Sequence, residues 1–175
     1  RSDVTIFQNS DDRQRFLQGG WLRPHQARLV VGSGVNLSKY YPRPSFHDGQ
    51  LRVLMVARLL WNKGVGEYLT AVEMIREAFP EVRFQLGGEW ELTNVGGIER
   101  EYIDAWIEKG IIEFVGYVEA MPKMLRQSDI FVLPSYYGEG VPRVLLEASA
   151  SGLPVITTDS PGCREAVVHG KTGLL

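Results

Sequence analysis

The sequence predicts a doubly wound parallel α/β domain, in which helices cover both faces of one sheet. From about residue 51 onward, short apolar segments alternate with longer amphipathic segments, which is the pattern of repeated βα units. The short segments are continuously apolar, as expected for strands that helices cover on both sides. Glycine or proline separates the segments, and the 19 glycines among 175 residues exceed the usual share of about 7%.

The predicted elements of this repeated pattern follow one another along the chain. The strands are predicted at residues 51–57, 82–86, 111–115, 130–133 and 154–157. The helices are predicted at residues 66–79, 98–109, 121–127 and 143–151. Leu69, Val72 and Ile75 recur at helical spacing in the first of these helices, which predicts an apolar face that packs on the sheet.

Residues 1–36 do not follow this pattern. They predict short strands at 4–7 and 28–31 and a helix at 10–18 that is capped by Ser10. Residues 39–50 are rich in Tyr, Pro and Ser, which is typical of a linker. We therefore place a boundary near residue 36, between units at 1–36 and 37–175. Because the chain begins with arginine and ends within an apolar segment, we expect a piece of a longer protein.

The composition excludes several classes of protein. With 44% apolar residues, 23% charged residues and a net charge of −2, the chain is expected to be an ordered, soluble domain. Nucleic-acid binding is not expected, because it calls for a clustered basic excess. The single cysteine, Cys163, excludes an internal disulfide and fits a reducing compartment. No apolar run reaches the roughly 18 residues of a transmembrane helix, so we expect a cytoplasmic protein.

The candidate site is expected in the loops that leave the strands, because open parallel sheets bind ligands outside the carboxyl ends of their strands. The loop after the first predicted strand of the repeated pattern carries Arg58 and Lys63. A guanidinium binds two phosphate oxygens at once and an ammonium acts as a point charge, so this pair suits a diphosphate. Two solvated surface charges are the alternative interpretation of the same spacing.

The loop after the strand predicted at 130–133 gives a stronger signal. Pro142 fits the first position of a helix, so the amides of Arg143 and Val144 are expected to point toward an anion. Glu139 and Glu147 lie on either side of this turn, and carboxylates accept hydrogen bonds from the paired hydroxyls of a sugar. An ion pair between Glu147 and Arg143 is the alternative interpretation.

Other motifs are weaker. The glycine pairs that begin at Gly32 and Gly64 start like a dinucleotide fingerprint but end in leucine. Ser135 follows a predicted strand without the G-x-S-x-G motif of a nucleophile. The histidines lack the spacing of metal ligands, so no metal site is predicted; they are His25, His47 and His169.

Four segments together resemble glycosyltransferase family 4, the group 1 glycosyltransferases. They are residues 53–63, 114–116, 129–147 and 162–173, and the glutamate pair in its glycine–proline setting is the most specific part. The resemblance is greatest to the branch that builds bacterial capsular and lipid-linked polysaccharides. It implies one half of a GT-B enzyme, a Rossmann-like domain that binds the nucleotide sugar. Residues 1–36 would then be the end of the acceptor domain with its hinge, and a final helix would be missing after residue 175.

The resemblance also implies roles for individual residues. Arg58 and Lys63 would hold the donor diphosphate and, with Glu139, form the catalytic group. Glu139 would bind hydroxyls of the donor sugar, and Glu147 would bind the ribose hydroxyls. The backbone groups that would contact the base, sugar and phosphate are those of Tyr117, Val118, Gly140, Val141, Arg143 and Val144. Two positions depart from the family pattern, Asn36 in place of a hinge aspartate and Pro142 in place of an amide donor.

The implied reaction is retaining transfer of a sugar from a nucleotide diphosphate sugar, such as a UDP-sugar, to a saccharide or lipid-linked acceptor, without a metal or other cofactor. This would place the protein in bacterial capsule or lipopolysaccharide synthesis in the cytoplasm, including the inner face of the membrane, with peripheral membrane contact. A nucleotide-sugar epimerase of the same architecture and a non-catalytic nucleotide-sugar binding module are the alternatives. The present chain alone is not expected to catalyse transfer, because the acceptor half is absent.

Overall fold

A computed structural model describes residues 3–44, 49–91 and 95–175. Its strands are β1 (Thr5–Phe7), β2 (Ala27–Leu29), β3 (Arg52–Val56), β4 (Arg83–Gly87), β5 (Glu113–Gly116), β6 (Ile130–Leu133), β7 (Val155–Thr157) and β8 (Gly173–Leu174). Its helices are α1 (Ser10–Gln18), α2 (Val65–Ile75), α3 (Arg100–Glu108), α4 (Met121–Arg126) and α5 (Arg143–Ala150).

The main sheet has six parallel strands in the order β5-β4-β3-β6-β7-β8. Counted from β3 onward, this is the 3-2-1-4-5-6 order of a doubly wound nucleotide-binding fold. The chain reverses its direction of winding between β3 and β6, which pair through Val53 with Ile130 and Leu54 with Phe131. The predicted fold class is therefore confirmed, and the switch point lies between these two central strands.

The core lies on both faces of this sheet. Leu54 and Met55 are neighbours in β3 and are both fully buried, although successive strand residues point to opposite faces. The helices supply the covering side chains, for example Leu69 of α2 and Leu145 of α5, which are fully buried as well. Continuous apolar runs therefore arise here because each central strand has no solvent-facing side.

Most predicted element ends in residues 37–175 lie within two residues of the observed ends. The largest difference is in α2, which ends at Ile75 where the apolar spacing predicted residue 79. A turn replaces the last part of that helix, with the amides of Ala78 and Phe79 bonded to the carbonyl of Ile75. The edge strand β8, parallel to β7, was not predicted because two residues are too few to show a period.

Within the described part of residues 1–36, β1 and β2 pair in parallel as a smaller sheet. The predicted strand at 28–31 is Ala27–Leu29 instead. The predicted cap of α1 is wrong: Asn9, not Ser10, is the cap, with an extended backbone at φ −134° and ψ 159°. Its side-chain oxygen accepts a hydrogen bond from the Asp12 amide at 2.7 Å. The boundary near residue 36 stays a prediction.

The predicted linker at 39–50 is packed on the main domain over its described part. Tyr40 is buried in the main core, and Arg43 forms an ion pair with Asp129 at the start of β6. Tyr40 therefore contributes to the core of the domain, in addition to lying in a connecting segment. His47 lies outside the described residues.

Candidate active site

A cleft of about 320 Å³ opens at the carboxyl ends of β3 and β6, at the switch point where doubly wound folds bind their ligands. Its volume lies in the range of small-molecule sites. Most of the predicted donor-site residues line it, namely Arg58, Lys63, Tyr117, Val118, Glu139, Arg143 and Val144. The fold therefore brings together residues that follow three different strands, β3, β5 and β6.

Lys63 and Glu139 form the most tightly held pair in the cleft. Lys63 ends a short 3-10 turn after β3 and is buried. Its Nζ lies 2.5 Å from Oε1 of Glu139 and 5.1 Å from the ring centre of Tyr137. A buried ammonium needs a charged or polarisable partner, and this site supplies both.

The backbone joins the two loops that carry this pair. The amide of Tyr136 donates to the carbonyl of Asn62 at 3.1 Å. Gly64 adopts φ +80°, and a Cβ there would lie 2.2 Å from the carbonyl oxygen of Pro134. Only glycine fits both the left-handed conformation and this close approach. The positions of Lys63 and Glu139 are therefore set by the main chain.

Ser135 also links the loop after β3 to the loop after β6. It is fully buried, and its Oγ lies 3.3 Å from the carbonyl of Asn62 and 3.5 Å from Oε1 of Glu139. The hydroxyl thus serves as a hydrogen-bonding support for the loop, which agrees with the absence of a nucleophile motif around it.

Arg58 is held much more loosely. Its side chain is about half exposed, and its nearest carboxylate is Glu91, at 3.5 Å. Exposed ion pairs of this kind contribute roughly 0–1 kcal/mol, so the guanidinium is free to reorient toward a ligand. In the loop after β4, which also carries Glu91, Glu89 lines the cleft. Glu89 was not among the predicted site residues. Its position directly after a strand is the signal that could have found it.

The amino terminus of α5 lies at the cleft. The helix begins at Arg143, and Pro142 occupies the capping position with φ −58° and ψ 121°. The prediction that Pro142 is the first helical residue is wrong, because its ψ keeps it extended. Since proline has no N–H, the first amides at this helix end belong to Arg143 and Val144, and both residues line the cleft. First-turn amides have no partner within their own helix.

Glu147 lies beneath this helix end, away from the cleft lining. It is buried, and Arg143 Nε lies 3.0 Å from its Oε1, which is the alternative that the sequence offered. The hydroxyl of Tyr40 also donates to it; burial, and then this hydrogen bond, raise the pKa of Tyr40. Among the described residues, Gly140 and Val141 likewise do not line the cleft.

Tyr117 and Val118 form the outer rim. They follow β5, and Tyr117 is largely exposed. The carbonyl of Gly116 accepts a hydrogen bond from the amide of Gly88 at 2.9 Å, which fixes this loop beside the one that follows β4. The backbone after β5 is therefore held at the mouth of the cleft.

The described ranges contain neither a cluster of metal-binding side chains nor a helix that could span a membrane. No group of three or more His, Cys, Asp or Glu side chains is arranged there to hold a metal ion. In the same part of the chain, no helix has the length and apolar character needed to cross a membrane. Of the histidines, His25 is exposed in a 3-10 turn, and Nδ1 of His169 accepts a hydrogen bond from the Leu175 amide at 3.0 Å.

Solved structures share this fold. The Anabaena protein HepE in complex with UDP matches with a TM-score of 0.80 and 22% identity over 99% of this chain and 49% of its own. S. aureus TarM in a complex that includes UDP matches with a TM-score of 0.81 and 19% identity, over 99% of this chain and 33% of its own. The domain thus has the Rossmann-like fold of one half of a GT-B glycosyltransferase.

Sequence relatives identify the family of the chain. The Campylobacter jejuni N,N'-diacetylbacillosaminyl-diphospho-undecaprenol alpha-1,3-N-acetylgalactosaminyltransferase is 31% identical over 97% of this chain and 46% of its own length. The Escherichia coli UDP-Gal:alpha-D-GlcNAc-diphosphoundecaprenol alpha-1,3-galactosyltransferase is 32% identical over 83% of this chain and 40% of its own. The chain thus spans less than half the length of these two relatives. Because the family model for glycosyl transferases group 1 matches residues 40–175, this chain belongs to the group 1 glycosyltransferases.

Proposed function

We propose that this chain is the donor-binding part of a retaining glycosyltransferase, which transfers a sugar from a nucleotide diphosphate sugar to a saccharide or lipid-linked acceptor. The observation that supports it best is the composition of the cleft, where Arg58, Lys63 and the amino terminus of α5 lie together. Each of these groups carries positive charge or positive potential. Together they complement a diphosphate at the place where the fold binds nucleotides.

The positive groups would act on the leaving group. As the bond between the sugar and the diphosphate breaks, negative charge grows on the diphosphate oxygens, and preorganised positive groups stabilise that charge. Lys63 is already fixed in the cleft, whereas Arg58 is exposed and would close onto the phosphates. These two side chains supply positive charge from the protein, so we propose transfer that needs no metal ion.

Glu139 would orient the donor sugar. Its Oε1 is engaged by Lys63, and its other carboxylate oxygen offers acceptor positions for sugar hydroxyls. A carboxylate paired with an ammonium at 2.5 Å is a weak nucleophile, because the ion pair stabilises its charge. This favours departure and attack on the same face of the sugar over a covalent sugar–enzyme intermediate.

The relatives support the choice of donor and acceptor. HepE was solved with UDP, and the E. coli relative is named for UDP-Gal and a diphosphoundecaprenol acceptor. We therefore propose a UDP-sugar donor and a lipid-linked acceptor in surface polysaccharide synthesis. A lipid-linked acceptor would place the reaction at the cytoplasmic face of a membrane.

Calorimetry with UDP tests the binding part of this proposal. We expect Arg58→Ala to weaken UDP binding relative to the wild type, because it removes a cation that lines the cleft. Glu147 is paired with Arg143 outside the cleft lining, and we propose that it turns to the ribose hydroxyls when UDP binds, so Glu147→Ala should weaken binding as well. Arg83→Ala is the matched control, since Arg83 is a half-exposed arginine paired with Glu113 at the start of β4, away from the cleft. Equal heats in all four proteins would contradict the site.

Turnover separates the proposed activity from the two alternatives. The full-length protein is incubated with a labelled UDP-sugar and an undecaprenyl-diphosphate-linked saccharide, with and without a metal chelator. Transfer that persists with the chelator supports the proposal. Isomerisation of the donor would indicate an epimerase, and binding without turnover would indicate a binding module. Transfer by residues 1–175 alone would contradict the assignment of the acceptor to a separate half.

A further inference from the structure

Asn9, far from the cleft in sequence, holds the loop that carries Glu139. Its side chain is fully buried, and Nδ2 donates a hydrogen bond to the Glu139 carbonyl at 3.1 Å across 130 positions of the sequence. The same amide nitrogen donates to Oδ2 of Asp12 at 2.8 Å. Its oxygen accepts from the Asp12 amide as the cap of α1. The nitrogen and the oxygen of this amide thus bond both a helix end and the donor-site loop.

The neighbours of Asn9 make contacts in the same region. Gln8 packs on the backbone of Gly140 so closely that a Cβ on that glycine would lie 2.3 Å from Oε1 of Gln8. NH1 of Arg164 lies 3.1 Å from both carboxylate oxygens of Asp11. These contacts bring the start of α1 against the loop that leaves β6 and against the segment that follows β7.

Capping alone does not explain asparagine at this position. Serine and aspartate cap helices about as well as asparagine. The asparagine side chain, however, has two N–H donors, whereas serine has one O–H and an ionised aspartate has no donor. The amide accepts through Oδ1 and donates twice through Nδ2, so it caps the helix while it bonds both Asp12 and the Glu139 carbonyl. A fully buried amide is also costly when one of its groups lacks a partner.

We infer that Asn9 is a positioning residue of the donor site, which acts through the main chain of Glu139. The inference rests on the proposed function of the cleft. Lys63 holds the carboxylate of Glu139 from one side, and Asn9 holds its carbonyl from the other. Glu139 is therefore held at its carboxylate and at its main-chain carbonyl. Its carboxylate is thus oriented before the donor sugar binds.

The test compares the affinity for UDP with the affinity for UDP-sugars, measured by calorimetry on the full-length protein. The probes are UDP, UDP-glucose, UDP-galactose and UDP-N-acetylglucosamine. Asn9→Ser keeps a capping oxygen but removes the Nδ2 group that donates to Glu139; its single O–H lies on a shorter side chain. We expect it to lower the affinity for UDP-sugars relative to the affinity for UDP roughly three- to tenfold, as for one lost hydrogen bond. The affinity for UDP itself should stay within about twofold. Asn9→Asp, which also lacks the donor, should change the ratio in the same direction.

Gln14→Gly is the matched control. Gln14 is exposed on α1, so glycine there weakens the helix through backbone entropy without touching the contact to Glu139. This variant should leave the ratio of affinities unchanged. In a Glu139→Gln background, which removes the charge while keeping an acceptor for Lys63, Asn9→Ser should have a smaller effect on the ratio, because coupled residues are not additive.

The outcomes separate this inference from the proposed function. Wild-type protein that binds neither UDP nor any of the UDP-sugars would overturn both. If the wild type binds them and Asn9→Ser leaves the ratio unchanged, even while lowering all affinities in parallel, the inference alone is overturned. A full effect of Asn9→Ser in the Glu139→Gln background would also overturn it, since Asn9 would then not act through Glu139.

Discussion

Two cations that line the cleft, Lys63 and Arg58, form ion pairs that differ in how firmly they are held. In the buried part, formed by Lys63 and Glu139, the side chains are 8% and 24% exposed and lie 2.5 Å apart. In the exposed part, formed by Arg58 and Glu91, they are 49% and 31% exposed and lie 3.5 Å apart. The sequence showed only two cations five positions apart, and the fold has given them different surroundings.

This difference indicates two tasks within one site. A buried, paired charge is already oriented before a ligand arrives, so it can stabilise developing charge without reorganisation. An exposed charge loses side-chain freedom when it binds, which costs about 0.5–1.5 kcal/mol, but it can follow the ligand as it enters and leaves. We therefore expect the buried part to govern catalysis and stability, and the exposed part to govern capture of the donor.

The largest expected effect is on the rate of transfer by the full-length protein. Loss of one preorganised donor at a developing charge costs about 10²- to 10³-fold in rate. Lys63→Ala should lie near the upper end of this range, because Lys63 is fixed, and Arg58→Ala near the lower end. Steady-state kinetics with a UDP-sugar and a lipid-linked acceptor give kcat for both variants, and circular dichroism checks their folding. A larger kcat loss in Arg58→Ala would reverse the assignment of tasks.

The next effect is on stability. Glu139→Ala leaves the ammonium of Lys63 buried without its carboxylate, and breaking a buried pair from one side costs about 3 kcal/mol. Glu91→Ala is the matched variant in the exposed part, where the loss of a pair costs about 0–1 kcal/mol. Urea denaturation gives the free energy of unfolding of both proteins. Equal losses would mean that burial does not distinguish the two pairs.

The sequence predicts the location of this site better than its internal geometry. Apolar runs identify the central strands because each is buried on both faces, and the loops after those strands carry Arg58 and Glu139. The pairing of Lys63 with Glu139 spans 76 positions, and periodicity contains no information about which distant loops meet. Those loops meet because β3 and β6 are neighbours in the sheet, which is a consequence of topology.

Contacts from outside the repeated pattern were the least predictable. Asn9 lies in a segment that the sequence sets apart from the main domain, yet it bonds the donor-site loop. Tyr40 lies in a segment whose composition is typical of a linker, yet its hydroxyl donates to Glu147. Composition reports the average character of a segment, whereas these contacts depend on single side chains. The local pair of Arg143 and Glu147 was visible, since residues four apart on a helix are neighbours.

The smallest expected effect concerns that local pair. The side chain of Arg143 is 67% exposed, so its pair with Glu147 contributes only about 0.3–0.5 kcal/mol. A cation in the first turn of a helix also opposes the helix dipole, which offsets part of that gain. Glu147 itself is buried, but it keeps the hydrogen bond from Tyr40 when the guanidinium is removed. Arg143→Ala should therefore change the free energy of unfolding by less than about 0.5 kcal/mol.

UDP binding by the same variant shows what Glu147 does. Removal of Arg143 leaves the carboxylate with the Tyr40 hydroxyl as its remaining partner among the contacts described above, so a ribose hydroxyl no longer competes with a guanidinium for it. Calorimetry should therefore find UDP affinity unchanged or higher in Arg143→Ala, in contrast to the loss in Arg58→Ala. A loss as large as that of Arg58→Ala would instead assign Arg143 to the phosphate-binding group, and the exposed part of the cleft would then contain two capturing cations.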